Sequence, residues 1–188
     1  APQVRARWKG RAVNSAQRPL DIVGVGPGNP AYVTEAVRQI ITEADAVGGF
    51  KTVLDTVRAH ITGEAVTLDY RNQPDGIRRL AELLRLGKRA VLCAHGDASF
   101  SGDELVALAE SICGQVRLTP GISSVQIACA RSRFKMEQTL FITFHKRASI
   151  TDDQEELAET ALAGRRNVIA LPRPWDFMPA TMAAFLLG

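Results

Sequence analysis

The sequence predicts an α/β protein whose two parts differ in their pattern. From Leu20 onward, short apolar runs alternate with loops and amphipathic stretches, which is typical of a parallel sheet with helices on both faces. After Pro120-Gly121 the alternation becomes less regular, and we expect a second α/β domain there. The 188 residues are enough to bury a core, and the apolar and charged fractions of 46% and 23% are those of a globular chain.

The first part contains a series of apolar runs that we interpret as strands. Each is short and ends in a turn: LDIVGV, AVGGF, EAVTLDY, RAVLCAHGD and QVRLTPG. Helices are predicted between them, and Leu54 and Val57 indicate one of these. Thr34 and Asp75 are expected to cap two others, and SGDE at Ser101–Glu104 is expected to form a capping box.

The second part begins with the helical stretch ISSVQIACAR and continues with the strand TLFITFH. An acidic helix over residues 152–164, the strand NVIALP and a helix from about Pro179 follow. We place the domains at residues 20–119 and 120–188, after a basic N-terminal arm over residues 1–19. Because two strands are few for a stable sheet, we expect the chain to stop before the natural end of this domain.

Composition excludes several classes of function. The net charge of +3 suits an anionic small molecule but is too weak to indicate nucleic acid. Cys93, Cys113 and Cys129 are far apart in apolar segments, so we expect reduced core thiols and a cytoplasmic location. The histidines lack ligand spacing, and no metal site is expected. No apolar run approaches the roughly eighteen residues of a membrane helix, and the arm lacks the hydrophobic block of a secretory signal.

The loop after the first strand, GVGPGNP, raises the question of nucleotide binding. With Gly24 and Gly26 in register, the third glycine of a dinucleotide-binding fingerprint falls on Asn29, and the other frame meets only the looser form with Ala31. The acidic residue expected at the end of the second strand is missing, and no Gly-Lys-Ser/Thr follows the loop. Taken alone, the glycines favour a tight turn between strand and helix. They also allow a ligand to approach bare backbone at the carboxyl end of a strand, where open α/β sheets bind ligands.

Two more loops follow strands in the order expected of one family. They are HGDASFSG at residues 95–102 and TPGISSVQIACAR at residues 119–131. Together with GVGPGNP they resemble the loops of the tetrapyrrole methyltransferases, S-adenosylmethionine-dependent enzymes that methylate precorrins and uroporphyrinogen. The resemblance runs from about Asp21 to the end. PGISSVQIACAR, the FH at residues 144–145 and RPWDFMP at residues 173–179 are most similar to the precorrin-6Y or cobalt-precorrin-7 C5-methyltransferase branch.

The resemblance implies a two-domain tetrapyrrole-methylase fold, with a mixed sheet in the C-terminal domain and a cofactor cleft between the domains. It also implies a homodimer that transfers a methyl group from S-adenosylmethionine to C5 of a precorrin or cobalt-precorrin in cobalamin biosynthesis. The 188 residues leave no room for a second, C15-methylating domain, so C5 alone is expected unless the sequence is a fragment of a fusion; whether the substrate contains cobalt also stays open. Ala98 replaces the family's usual proline and His95 a usually small residue, which leaves the shape of the pocket open.

The site residues are likewise implied by the resemblance. Cofactor contacts are expected from Ala94, His95, Gly96, Asp97, Phe100, Ser123 and Ser124. The macrocycle is expected to meet the glycine loop, a tyrosine and arginines suited to its carboxylates: Gly24, Gly26, Pro27, Gly28, Tyr32, Arg131, Arg147 and Arg173. Asp97 is the candidate catalytic carboxylate, with turn formation as the alternative role, and a helix cap is the alternative role of the two serines. Trp175 and Phe177 are interpreted as packing residues.

Other functions are also compatible with parts of the sequence. A further member of the same fold, such as diphthine synthase or a ribosomal RNA ribose methyltransferase, is one alternative. A non-catalytic nucleotide-binding domain is another, although the incomplete fingerprint argues against it. An RNA enzyme should show a basic surface interleaved with aromatic residues, which the chain lacks apart from its arm. We therefore expect a corrinoid precursor as the ligand, with neither nucleic acid nor membrane as a partner.

Overall fold

A computed structural model of the chain describes residues 18–187, so residues 1–17 of the predicted basic arm lie outside the described part. The first part forms one parallel sheet of five strands in the order β3-β2-β4-β1-β5. The strands are β1 (Leu20–Gly24), β2 (Ala46–Phe50), β3 (Glu64–Leu68), β4 (Ala90–Ala94) and β5 (Val116–Thr119). The predicted parallel sheet is therefore confirmed.

Helices cover both faces of this sheet, as the alternating pattern predicts. They are α1 (Glu35–Thr42), α2 (Lys51–Val57), α3 (Gln73–Arg85) and α4 (Asp103–Cys113). In β4, Leu92 packs with α3 and α4 on one face, whereas Cys93 packs with α1 and α2 on the other. Successive residues of a strand thus point to opposite faces of the sheet, and both faces are covered by helices. The central strands are therefore buried on both sides, which explains their continuous apolar sequences. The Cys93 thiol is fully buried, and burial raises its pKa to about 12.

Two predicted helix starts have different outcomes. The hydroxyl of Thr34 accepts a hydrogen bond from the backbone N–H of Val37 at 3.3 Å, so the predicted cap of α1 is confirmed. The predicted cap of α3 at Asp75 is wrong, because the helix already begins at Gln73 and Asp75 lies in its first turn. The earlier start places Pro74 at the second helical position. A proline is tolerated there because the first backbone N–H groups of a helix have no hydrogen-bond partner within it.

The second part has its own small sheet and core. Its strands β6 (Thr139–Thr143) and β7 (Asn167–Leu171) pair in parallel, so the antiparallel pair that a mixed sheet requires does not occur among the described strands. Three helices accompany the sheet: α5 (Ser124–Ser132), α6 (Thr151–Ala163) and α7 (Pro179–Leu187). Phe144 and Phe177 form the centre of the core, with ring centroids 4.7 Å apart in an edge-to-face arrangement. The predicted packing role of Phe177 is confirmed.

Four glycines join the loops at the carboxyl edge of the first sheet. Gly26 and Gly96 exchange two backbone hydrogen bonds of 3.1 and 2.8 Å between the loops after β1 and β4. A Cβ atom on Gly24 would lie 2.5 Å from the carbonyl oxygen of Gly96 and 2.7 Å from the backbone nitrogen of Gly121. A Cβ atom on Gly121 would overlap the same two loops. We call this contact of Gly24, Gly26, Gly96 and Gly121 the glycine junction.

The glycine junction predicts a large effect of one methyl group. Gly24→Ala is expected to destabilise the fold by about 3 kcal/mol, at the upper end of the usual cost of overpacking. The overlapped atoms belong to the backbone of two loops, so no side chain can rotate away. Thermal or denaturant unfolding measures the effect.

Gly164→Ala is the matched control. Gly164 has a φ of 60° that disfavours alanine, but a Cβ atom there would meet nothing within 4 Å. We expect this variant to lose about 1 kcal/mol from backbone conformation alone. Equal stability of the two variants would contradict a close-packed junction.

Candidate active site

A cavity of about 690 Å³ lies where the carboxyl edge of the first sheet meets the second part of the chain. Its volume falls within the range of small-molecule sites. Every residue predicted to contact a cofactor lines it: Ala94, His95, Gly96, Asp97, Phe100, Ser123 and Ser124. Apolar side chains, including Leu105, Leu108 and Leu171, complete the wall. The lining thus combines apolar surface with a few polar groups, as amphipathic ligands require.

Asp97 shapes the loop after β4. Its Oδ1 atom accepts hydrogen bonds from the backbone N–H of Ser99 at 2.8 Å and from the Ser99 hydroxyl at 2.5 Å. These bonds form the turn that was the alternative role of this residue. Within residues 18–187, the Oδ2 atom has no hydrogen-bond partner. One carboxylate oxygen therefore holds the turn, while the other is available to a ligand in the cavity.

The predicted capping box at Ser101–Glu104 is wrong. Helix α4 begins at Asp103 with Gly102 as its cap residue, and no side chain caps it. Ser101 takes a φ of 63°, and its hydroxyl lies 2.8 Å from that of Thr143 on β6. The Oε1 atom of Glu104 accepts a hydrogen bond of 3.0 Å from the backbone N–H of Arg147. Both side chains thus connect the first part of the chain to the second at the cavity instead of closing the helix.

Ser123 lies beside Gly96 in the lining of the cavity and caps α5. Its hydroxyl accepts a hydrogen bond from the start of the helix, and its own backbone N–H donates to Gln126 Oε1 at 2.7 Å. This is a complete capping box, so the alternative role of this serine as a helix cap is confirmed. Ser123 is buried, whereas Ser124 beside it is exposed and lines the cavity. The two serines therefore differ in their freedom to bind a ligand.

The electrostatic environment favours a neutral imidazole at one wall. Burial, followed by the nearby His145, lowers the pKa of His95 below its ordinary value, and its Nε2 atom lies 3.1 Å from the hydroxyl of Thr52. Lys146 forms an ion pair of 2.5 Å with Asp153. Among the described residues, the guanidinium of Arg147 has no ion-pair partner, although this residue also lines the cavity. A cationic side chain is thus available to an anionic ligand.

The residues predicted to contact the macrocycle are not brought together. Pro27 and Arg147 line the cavity, but the others do not: Gly24, Gly26, Gly28, Tyr32, Arg131 and Arg173. Gly24 and Gly26 are buried in the glycine junction and present no open trough. The guanidinium of Arg173 is bound by Asp176 through hydrogen bonds of 2.5 and 2.7 Å. Arg131 is exposed on the last turn of α5.

Aromatic residues that the sequence did not single out for the site also line the cavity. Phe50, Tyr70 and Trp175 come from β2, the turn after β3 and the turn after β7. The predicted packing role of Trp175 is wrong, because 58% of this residue is exposed. One available signal was position, since Phe50 and Tyr70 lie at or just after the carboxyl ends of neighbouring parallel strands.

Comparison with known families agrees with this architecture. The family profile described as Tetrapyrrole (Corrin/Porphyrin) Methylases matches residues 19–187, and the chain belongs to this family. Members of the family are methyltransferases that use S-adenosylmethionine.

Individual relatives carry two different activities in their names. The chain is 34% identical over 182 residues to the diphthine synthase of Pyrobaculum calidifontis, covering 89% of this chain and 72% of the relative. It is 34% identical over 128 residues to the cobalt-precorrin-7 C(5)-methyltransferase of Salmonella typhimurium, covering 68% of this chain and 62% of the relative. The crystal structure of the precorrin-6Y methylase of Archaeoglobus fulgidus is similar with a TM-score of 0.61 and 25% identity, covering 82% of this chain and 73% of that one.

Two further findings concern metal binding and membrane insertion. No group of three or more His, Cys, Asp or Glu residues within 18–187 is arranged to hold a metal ion. No helix in the described part of the chain is long and apolar enough to cross a membrane.

Proposed function

We propose that the chain is an S-adenosylmethionine-dependent C-methyltransferase that methylates C5 of a precorrin or cobalt-precorrin in cobalamin biosynthesis. The observation that carries this proposal is the meeting of all the predicted cofactor residues, from the carboxyl end of β4 and the segments after β4 and β5, at one cavity. Membership of the tetrapyrrole methylases supports the class of reaction. The relatives named cobalt-precorrin-7 C(5)-methyltransferase and precorrin-6Y methylase support the acceptor.

The lining of the cavity fits S-adenosylmethionine, which joins an apolar ring, polar hydroxyls and a charged amino-acid end. Phe100 and the leucines offer apolar surface, while Ser124 and the free Oδ2 atom of Asp97 offer hydrogen-bonding groups. A His95 side chain with a lowered pKa remains neutral and does not repel a cationic donor. When bound, the donor supplies a methyl group on a positively charged sulfur, and the acceptor carbon bonds to that methyl as the carbon–sulfur bond breaks.

The chain's own residues then have limited tasks. They hold the two reactants in line, exclude water and provide an acceptor for the proton that the substrate releases. The cross-connections of Ser101 with Thr143 and of Glu104 with Arg147 keep the two walls at a fixed separation. Asp97 lines the cavity with a second carboxylate oxygen that has no partner among the described residues, and we propose it as a cofactor ligand or base.

A second candidate is a methyltransferase of the diphthine synthase type. The Pyrobaculum relative favours it, because the alignment covers more of this chain than does the alignment with the Salmonella enzyme, at the same identity of 34%. The aromatic residues Tyr70 and Trp175 in the lining of the cavity, and the guanidinium of Arg147, which is unpaired among the described residues, support the corrinoid instead. A flat ring with peripheral carboxylates suits such a lining.

We also propose a cytoplasmic homodimer. The second part of the chain exposes large apolar side chains, including Leu162 at 87% and Phe185 at 41% exposure. Apolar side chains of this size on a surface mark contact regions when they lie together. The three cysteines are free, which supports a reducing compartment.

The oligomeric state is measurable directly. Light scattering at micromolar concentration should give twice the 20.4 kDa mass of one chain, because dimer formation would cover the exposed apolar side chains. A mass of one chain at that concentration would contradict the homodimer.

Asp97 provides a test of cofactor binding that separates its two roles. Asp97→Asn keeps an oxygen that can accept from Ser99 but removes the charge and the second acceptor, whereas Asp97→Ala also removes the turn. We expect Asp97→Asn to keep its thermal stability and to bind S-adenosylmethionine about tenfold or more weakly, since a hydrogen bond to a charged group contributes about 1.5–3 kcal/mol. Isothermal titration calorimetry measures the affinity. Unchanged affinity in Asp97→Asn, with loss only in Asp97→Ala, would assign Asp97 to the turn alone.

The acceptor is identified by transfer of a labelled methyl group. The protein is incubated with S-adenosylmethionine carrying ¹³C in its methyl group and, in separate reactions, a precorrin-6B-type substrate, a cobalt-precorrin-7-type substrate and the acceptor of a diphthine synthase. We expect the label at C5 of a corrinoid, located by NMR, because the cavity combines aromatic and cationic groups. Label at C15, or only on the diphthine synthase acceptor, would contradict the proposal. Asp97→Asn serves as the control of reduced donor binding.

A further inference from the structure

Two strongly exposed aromatic side chains line the cavity from different parts of the chain. Tyr70 is 69% exposed in the turn between β3 and α3, and Trp175 is 58% exposed in the turn between β7 and α7. Such rings bury a large apolar area when a ligand covers them. Exposed aromatic surface at a cavity is a feature of binding sites rather than of packing.

Each of these rings is supported by neighbours. The ring of Tyr70 lies 4.8 Å from that of Phe50, centroid to centroid, at an interplanar angle of 34°. The ring of Trp175 meets His145 edge-on at 6.2 Å, and the Arg173 guanidinium lies 5.8 Å from its centroid. Because Asp176 binds this guanidinium with two hydrogen bonds, Arg173 is itself fixed. Because these contacts already restrict the two side chains, less conformational entropy is lost when a ligand binds to them.

The support also gives Arg173 a different role from the one that its sequence position suggests. Its guanidinium is paired with Asp176 and lies beside the indole, and the residue does not line the cavity. Arg173 therefore positions Trp175 instead of meeting a carboxylate. Arg147 is the cavity-lining arginine without an ion-pair partner in the described part of the chain. The backbone N–H of Arg147 donates a hydrogen bond to Glu104, which fixes the position from which the arginine side chain extends.

We propose that Tyr70 and Trp175 bind the conjugated ring of the corrinoid substrate and that Arg147 binds one of its peripheral carboxylates. The proposal rests on the proposed function and names the residues that determine its acceptor. These residues replace the glycine loop as the proposed substrate contacts, because Gly24 and Gly26 of that loop are buried in the glycine junction. An acceptor without an extended flat ring would gain little from two aromatic side chains, so the same residues select among acceptors.

The small number of tryptophans allows a direct test by fluorescence. The chain has two, Trp8 and Trp175, so Trp8→Phe leaves Trp175 as the single emitter. Titration of this variant with cobyrinic acid, a stable corrin with free carboxylates, should quench its emission in a saturable manner. Titration with S-adenosylhomocysteine should leave the emission largely unchanged. Quenching by S-adenosylhomocysteine and not by the corrin would assign Trp175 to the cofactor and overturn the proposal.

Affinity measurements extend the test to both rings. By calorimetry, Trp175→Ala and Tyr70→Ala should each weaken corrin binding about tenfold, the order found when an aromatic side chain stacked on a flat ring is removed. Trp175→Phe should restore most of the affinity, and all three variants should bind S-adenosylhomocysteine as the wild type does. Phe134→Ala is the matched control, since Phe134 is 37% exposed but lies outside the cavity lining.

The possible failures are distinguishable. If the wild type binds the corrin and both alanine variants bind it equally well, the aromatic contacts are refuted while the proposed function stands. If the wild type methylates only the diphthine synthase acceptor and binds no corrin, the proposed function and this inference fail together. Circular dichroism checks that the variants keep the fold, which we expect because both side chains are exposed.

Discussion

The close approach of three backbone loops at the glycine junction is the constraint on which the rest of the structure depends. Because β1 lies between β4 and β5 in the sheet, the loops after all three strands emerge side by side. Their backbones then touch at Gly24, Gly96 and Gly121, and a Cβ atom on Gly24 or Gly121 would overlap the neighbouring loops. The loop after β5 leads directly to Ser123 and the second part of the chain, so the junction fixes where that part begins relative to the sheet.

The cavity follows from this fixed starting point. One wall is the loop after β4, which hydrogen-bonds to Gly26 on one side and is turned by Asp97 on the other. The opposite wall is the second part of the chain, connected back through the hydroxyls of Ser101 and Thr143 and through Glu104. The positive φ of Ser101 costs conformational energy, and its hydrogen bond to Thr143 compensates for part of it. The side chains of Ser101 and Glu104, which could cap a helix, instead form hydrogen bonds between the first and second parts of the chain.

Apart from the start of α3, the difference between what the sequence predicted and what it did not has one physical origin. Apolar periodicity and turn residues act locally, and they predicted the strands, the cap at Thr34 and the loops at which the cavity forms. The roles of individual side chains depend on partners distant in sequence. Ser101 and Glu104 have the spacing of a capping box, which predicted a helix cap. Their actual partners, Thr143 and Arg147, lie about forty residues away and are not visible in the local pattern. The glycine loop was predicted to contact the macrocycle because its actual partners, Gly96 and Gly121, belong to other loops.

The same distinction bears on the choice of acceptor within the family. A diphthine synthase and a cobalt-precorrin-7 methyltransferase are both 34% identical to this chain, so the level of identity alone does not identify the molecule that is methylated. The proposed donor site lies beside the glycine junction and would use backbone and polar groups that do not depend on the acceptor. The acceptor must instead be selected by side chains that the junction leaves free to vary. Tyr70 and Trp175 meet this condition, since they lie in turns outside the three motif loops, are largely exposed and line the cavity. Their contact with a flat ring would give an enzyme with a general donor site its preference for a macrocycle.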